Sequence, residues 1–312
     1  MSSFIVAFDA VVPITVVVLL GYLFQQKGIV RESSFQDFNK VVFRLLLPTT
    51  LFKNMVEADW DSSFNITLIG YSVIFMTAII LLGMLYASKR NITVEQKGIL
   101  VQGIFRSNFI VLGLPIVESI YGSKDLRVVT IMIAIFVPYM NIMAALILQK
   151  YATKKTGIVD MIKGLFKNPM VIGALCGFIY TLLKLPVFSL ETKILTTITK
   201  MTTSLSLFIL GGTFHFTSLK KNIHILCEIT IARLVLVPLV AVLIGVILGF
   251  RGIELVTLLV LFGTPIAVSV YPMSEQMGFD GELAGQAVLV TTVCVLLALF
   301  VFIFVLDFIR LI

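Results

Sequence analysis

Charged side chains are scarce in this chain. They make up 13% of its 312 residues, against about a quarter in a soluble domain, which excludes a soluble globular fold. Cysteine occurs three times, at Cys176, Cys227 and Cys294, always inside an apolar stretch. None has the spacing of a disulfide framework or a metal site, which points to inert core packing. Carboxylates are missing where ion-moving proteins need them: Asp9, Glu118, Glu275 and Asp307 stand near the ends of apolar stretches, and no pair sits at mid-depth. That argues against a proton pump or a cation exchanger. The two histidines, His215 and His224, fall at stretch ends and read as interfacial residues rather than proton relays. There is no HExxH, no GxSxG, no aspartate-rich metal pair and no phosphate-binding Gly-rich loop. No enzymatic activity, cofactor, bound metal or direct ATP coupling is therefore expected.

What the chain has is apolar length. Runs of about 20 residues, enough to cross a roughly 30 Å hydrocarbon core, recur ten times. They fall at 4–25, 37–56, 64–87, 97–119, 127–149, 169–185, 195–215, 224–249, 254–276 and 283–306. The first run has Asp9 and no Lys or Arg before its apolar centre, so it reads as a retained span and not a secretory signal. The net charge of +7 invites a nucleic-acid partner, but its placement rejects one. Numbering the loops alternately puts thirteen Lys and Arg on one side of the membrane and seven on the other. The positive-inside rule makes the richer side cytoplasmic. Both termini then lie outside, in a multi-pass protein of the plasma membrane. The basic connection at 150–168 lies inside, where anionic lipid headgroups are a sufficient partner.

Two of the runs carry helix breakers at depth. The fourth reads Arg106-Ser107-Asn108-Phe109-Ile110-Val111-Leu112-Gly113-Leu114-Pro115-Ile116, and the ninth contains Gly263-Thr264-Pro265-Ile266. A broken membrane helix frees peptide groups that lipid cannot satisfy, so it survives only inside protein or along a polar cavity. One such break in each half of a chain is the best sequence pointer to a transporter's binding site. Asn108 offers two N–H donors to a substrate oxygen; alternatively it only satisfies the freed backbone. Half-helix N-termini just past Pro115 and Pro265 would add backbone donors, and Gly113 would let backbone approach a ligand. Ser107, Thr264 and Ser269 supply hydroxyls.

Four cations lie outside the loops: Arg44, Arg106, Lys200 and Arg233. Arg44 and Lys200 are close enough to run ends to snorkel. Arg233 is expected to pair with Glu228 or a lipid phosphate. Arg106, two residues before Asn108, is either a carboxylate ligand or an anchoring cation, and both readings stay open. Donors and a cation with few acids favour an anionic substrate.

The halves echo each other. Pro13 precedes Gly21 by eight residues as Pro169 precedes Gly177, and each broken run is followed by a turn with glycine and aspartate (Gly122, Asp125; Gly278, Asp280). A repeat of five spans, an odd number, must insert its second copy upside down. Residues 1–160 then form one five-helix repeat and residues 161–312 its inverted partner. Gly173/Gly177 and Gly245/Gly249 have the spacing that lets helices approach closely, read here as packing within one chain.

The stretch Arg106 to Ile116 resembles the auxin efflux carrier family, which includes bacterial malate and malonate permeases and the plant auxin carriers. So do Leu46-Leu47-Pro48-Thr49-Thr50-Leu51-Phe52, Asn168-Pro169, Ser206-Leu207-Phe208-Ile209-Leu210-Gly211-Gly212, Thr264-Pro265-Ile266-Ala267 and Met277-Gly278-Phe279-Asp280. The resemblance implies an all-α polytopic membrane protein of ten transmembrane helices, built as two inverted five-helix repeats with broken helices four and nine crossing. It also implies a scaffold that makes a homodimer contact and elevator-like movement. Asn108 matches the amide that lies beside the substrate carboxylate in the plant carriers. The plant carriers' long loop is reduced here to 150–168, and Arg106-Ser107 departs from their local sequence, which favours a permease of the bacterial type. The expected function is a secondary transporter of small organic anions such as malate or malonate, using H+ or Na+ as coupling ion. The alternatives are a sodium-coupled carrier of larger amphipathic anions, with Thr202, Thr203, Ser204 and Ser206 as oxygen ligands, and a receptor that binds an anion without moving it.

Overall fold

A computed structural model of the chain describes residues 16–57, 65–121, 126–152, 166–186, 188–213 and 219–312, together with Pro13 and Lys163. Asp9, Gly122, Asp125, His215 and most of the 150–168 connection lie outside the described residues. Within them the fold is all helical, with no strand beyond one isolated bridge.

The helices run α1 (Val16–Gln26), α2 (Glu32–Val41), α3 (Leu47–Val56), α4 (Ile66–Lys89), α5 (Val94–Phe105), α6 (Leu114–Tyr121) and α7 (Arg127–Lys150). They continue as α8 (Pro169–Leu182), α9 (Ser189–Gly212), α10 (Leu219–Ile231), α11 (Val237–Ile247), α12 (Gly252–Gly263), α13 (Val270–Gln276) and α14 (Gly281–Phe308). Five uninterrupted stretches are long and apolar enough to cross a membrane: Ile66–Lys89, Val128–Lys150, Leu190–Gly212, Leu219–Ile247 and Gly281–Phe308. The other apolar runs hold shorter or interrupted helices.

Three prolines widen their helices without ending them. Pro48, Pro115 and Pro238 each follow a five-residue π-turn, at Val42–Leu46, Phe109–Gly113 and Ala232–Leu236. A proline has no N–H and its ring crowds the carbonyl four residues back. The preceding turn widens, so the residue before each proline donates to the carbonyl five back, as Leu47 does to Val42. The helix therefore carries on past all three prolines. Polar caps mark the starts. Asn65 accepts from Thr67 and Leu68 at the head of α4, Thr93 and Gln96 form a capping box on α5, Asn168 caps α8 and Asp280 caps α14.

The helices form two groups. In the first, α1, α2, α3, α8 and α9 pack backbone to backbone. A Cβ on Gly173 would stand 2.4 Å from the Pro48 carbonyl oxygen, one on Gly177 2.7 Å from that of Phe52, and one on Gly211 1.9 Å from that of Val18. The Gly173/Gly177 spacing thus serves packing inside the chain. Gly249, by contrast, supplies a positive φ of 89° at a turn and touches nothing. The second group holds α4 to α7 and α10 to α14, tied by buried and half-buried bonds such as Tyr71 to the Ala241 carbonyl (2.7 Å), Thr77 to Tyr139 (2.8 Å) and Asn222 to Gln286 (2.9 Å).

Large apolar side chains cover the outside of both groups, among them Leu81, Ile247, Leu297 and Phe308. Such a surface is at home in lipid and not in water. Arg44 and Lys200 stand exposed on it. So do Cys176, Cys227 and Cys294, all free thiols. This corrects the expectation that the cysteines pack in the core: an apolar run in a membrane protein has a lipid face as apolar as its interior.

Candidate substrate site at the helix crossover

The fourth run breaks earlier than its proline suggests. α5 ends at Phe105, Arg106 turns extended, and the chain stays out of helix through Asn108 before the π-turn begins at Phe109. Pro115 lies inside the next helical segment, so it widens the helix but does not break it. In the ninth run the break does sit at the proline, between Gly263 and Val270.

The two extended segments lie antiparallel. Asn108 donates its backbone N–H to the Pro265 carbonyl (2.8 Å), Ala267 donates to that of Arg106 (3.4 Å), and Ser107 faces Ile266. Ile266 N–H donates to the Thr291 hydroxyl (3.2 Å), and the Ser107 and Thr264 hydroxyls share a bond of 2.6 Å. The freed peptide groups are thus largely satisfied by the opposite break. This corrects the expectation that the N–H groups just past Pro265 are offered to a ligand, since those of Ile266 and Ala267 are occupied.

What remains for a ligand is side-chain chemistry. A cavity of about 110 Å³ opens where the crossover meets the first helix group. Its polar lining comprises Arg106, Ser107, Asn108, Asn141 and Ser269 from the crossover side, and Thr50, Asn54, Thr202, Thr203 and Ser206 from the other. Arg106 is 1% exposed, so it does not snorkel. One terminal nitrogen donates to Asn141 Oδ1 (2.6 Å) and Ser269 Oγ (2.7 Å), the other to Gln102 Oε1 (3.1 Å) and Met273 Sδ (3.2 Å). No ion pair among the described residues includes it. The buried side-chain nitrogens of Asn108 and Asn54 have no acceptor. A buried donor left unpaired is costly, so one guanidinium and two amides around one space constitute a setting for oxygen-rich anions.

The sequence-derived residues separate accordingly. Arg106, Ser107, Asn108 and Ser269 line the cavity. Thr264 and Pro265 stand behind it, bonded to Ser107 and Asn108. Gly113 packs on the Phe109 ring and Val260, and neither it nor Pro115 reaches the lining. Asn54 and Asn141 escaped the sequence reading. Their signal was an amide within a helical apolar run, and for Asn141 also Pro138 three residues before it, inside a helix that continues through both.

Arg233 requires the larger correction. Glu228 pairs with Arg90 instead, and Arg233, fully buried, reaches no lipid. Its Nε donates to the Thr264 carbonyl (2.9 Å), and its terminal nitrogens donate to those of Leu261 (3.1 Å), Phe105 (3.2 Å) and Ile104 (3.3 Å).

Comparison with known proteins agrees with this architecture. The family described as membrane transport protein matches residues 6–159 and 152–303. An uncharacterized transporter of Methanothermobacter thermautotrophicus is 26% identical over 294 residues, covering 93% of this chain and 95% of its own. One of Methanocaldococcus jannaschii is 23% identical over 303 residues, covering 93% and 96%. The lysosomal cholesterol signaling protein of Mus musculus is 25% identical over 246 residues, which are 72% of this chain but 28% of that longer protein. With broken helices, a polar cavity at their crossing and matches along nearly its whole length, the chain belongs to the membrane transport protein family, that of the auxin efflux carriers, and is a multi-pass membrane protein.

Proposed function

We propose that this protein is a secondary transporter of small organic anions, with malate and malonate as the first substrates to test. The observation that carries the reading is Arg106: a buried cation without a carboxylate partner among the described residues, lining a cavity beside the unpaired amide of Asn108. An anion entering there supplies the missing countercharge and the missing acceptor at once. A volume of about 110 Å³ is well below the roughly 300–1,000 Å³ of pockets for drug-sized ligands. That favours a small acid over a larger amphipathic one, and over a sterol of the kind named for the mouse relative.

In this reading residues 1–160 and 161–312 are inverted repeats, and ten helices cross the plasma membrane with both termini outside. The first helix group acts as scaffold and dimer contact, and the second carries the anion past it in an elevator-like movement. The cavity's position between the two groups supports this division. Thr202, Thr203 and Ser206 line the same cavity, so a sodium ion remains a coupling partner to test against a proton.

Uptake of labelled malate and malonate into proteoliposomes, with and without a sodium or proton gradient, tests the proposal. Arg106→Ala is expected to abolish uptake, and Asn108→Ala to weaken it at low substrate concentration, while the protein still inserts and folds. Normal uptake by both removes the site assignment. Binding without counterflow makes the protein a receptor.

A further inference from the structure

We propose that Arg233 is the positioning residue of the crossover. It holds the ends of α5 and α12 together and neutralises their dipoles, leaving Arg106 as the cation that charges the cavity. The last four carbonyls of a helix have no partner within it. Here two twelve-residue helices, Val94–Phe105 and Gly252–Gly263, end inside the protein within reach of each other. Arg233 donates to two carbonyls at the end of one and two at the end of the other, at 2.9–3.3 Å.

The charges match as well as the bonds. A helix C-terminus bears about half a negative charge, so two sum to about one, the charge of a guanidinium. No carboxylate is needed, and no ion pair among the described residues contains one for Arg233. Lysine cannot replace it, because a compact ammonium with three donors cannot span four carbonyls on two helices. Arg233 lies in the π-turn that precedes Pro238.

The consequence is geometric. The carbonyls of Phe105 and Thr264 flank the peptides of Arg106 and Pro265, so the grip of Arg233 fixes the strand that presents Arg106 and Asn108. Its effect on transport rests on the crossover cavity being the anion site; its hold on the backbone does not. Arg233 lines no part of the cavity and acts only through the backbone.

The test uses the full chain in membranes, with Cys176→Ser, Cys227→Ser and Cys294→Ser as background. Ser107 and Ile266 face each other with bonds flanking the pair. In such a pair the Cα atoms stand about 4.5 Å apart, inside the roughly 4.4–6.8 Å that a disulfide spans. Ser107→Cys with Ile266→Cys is therefore expected to cross-link under mild oxidation. Adding Arg233→Lys or Arg233→Gln should slow cross-linking about tenfold or more. In chains with native Ser107 and Ile266, the same substitutions should raise the KM for malate or malonate about tenfold, one charge-assisted bond's worth, with a smaller change in maximal rate.

Unchanged cross-linking and an unchanged KM overturn the inference. Loss of both variants from the membrane, while Arg44→Lys inserts normally, makes Arg233 a folding residue and overturns it too. If the chain with native Arg233 takes up none of the acids yet cross-linking still depends on Arg233, the transport reading falls and the backbone role stands.

Discussion

Replacing Arg106 by methionine separates stability from binding. The guanidinium makes three hydrogen bonds to oxygen, with Asn141, Ser269 and Gln102, each worth about 1.5–3 kcal/mol when one partner is charged. Against that stands the desolvation of a buried cation with no carboxylate to offset it, several kcal/mol even after relaxation. The two contributions are of the same size. Asn141 and Ser269 line the cavity, where water can take over their bonds. Arg106→Met should therefore shift the unliganded protein's stability by no more than about 2 kcal/mol in either direction.

Binding behaves differently. An anion in the cavity would lose the one cation that lines it among the described residues, which costs about 3–5 kcal/mol in a buried site, or roughly two to three and a half orders of magnitude in affinity. Thermal unfolding of purified protein reads both quantities. At a hundred times its Kd, a ligand stabilises the original protein by about 2.7 kcal/mol. At the same concentration the variant should gain at most about 0.4 kcal/mol. A variant that melts far below the original yet still responds to malate or malonate would show that Arg106 is structural, and the anion site would have to lie elsewhere.

Asn108→Ala removes an amide nitrogen that bonds nothing, so stability should hold while acid affinity falls by about 1–3 kcal/mol; calorimetric titration against malonate checks both. Asn108→Asp puts a negative charge beside Arg106 and should abolish uptake outright. Gly173→Ala drives a methyl into the Pro48 backbone and should destabilise by about 3 kcal/mol or more. Gly70→Ala, with nothing within 4 Å, should be neutral or up to about 1 kcal/mol stabilising, as melting curves of the pair will show. Asn39 in α2 donates to Glu275 in α13, a bond between the two helix groups. If the groups slide, Asn39→Cys with Glu275→Cys, bridged by a short thiol cross-linker, should stop exchange of labelled substrate between the two sides of a vesicle. Undiminished exchange in the bridged protein would refute an elevator.

Legibility in the sequence followed the physics of each feature. Apolar helices were readable because lipid demands apolar length: each predicted run holds helix among the described residues, and five stretches are long enough to cross a membrane. The position of the break in the fourth run was not. Proline marks where a helix lacks a donor, yet Pro48, Pro115 and Pro238 all sit in helix that merely widens into a π-turn. The break instead falls at Arg106 to Asn108, where the opposite segment offers a carbonyl to Asn108 and a donor to the Arg106 carbonyl. Such complementarity is a property of two distant stretches and leaves no mark in either alone.

The same limit explains the two buried arginines. Position along a run cannot tell whether a cation faces lipid, cavity or packed backbone, and Arg44, Arg106 and Arg233 each ended in a different one of these. Arg233 was expected to pair with Glu228 or a lipid phosphate because its actual partners are main-chain carbonyls, which every residue possesses. Its burial becomes intelligible only once two helices are seen to end against it. That yields a general expectation for broken membrane helices: where two C-terminal ends converge in the interior, a cation should be found between them even when no acid is near. Here the crossover meets that demand with one arginine and has a second, Arg106, at the cavity; under the proposed function, charge for holding the fold and charge for holding a ligand would reside on different side chains.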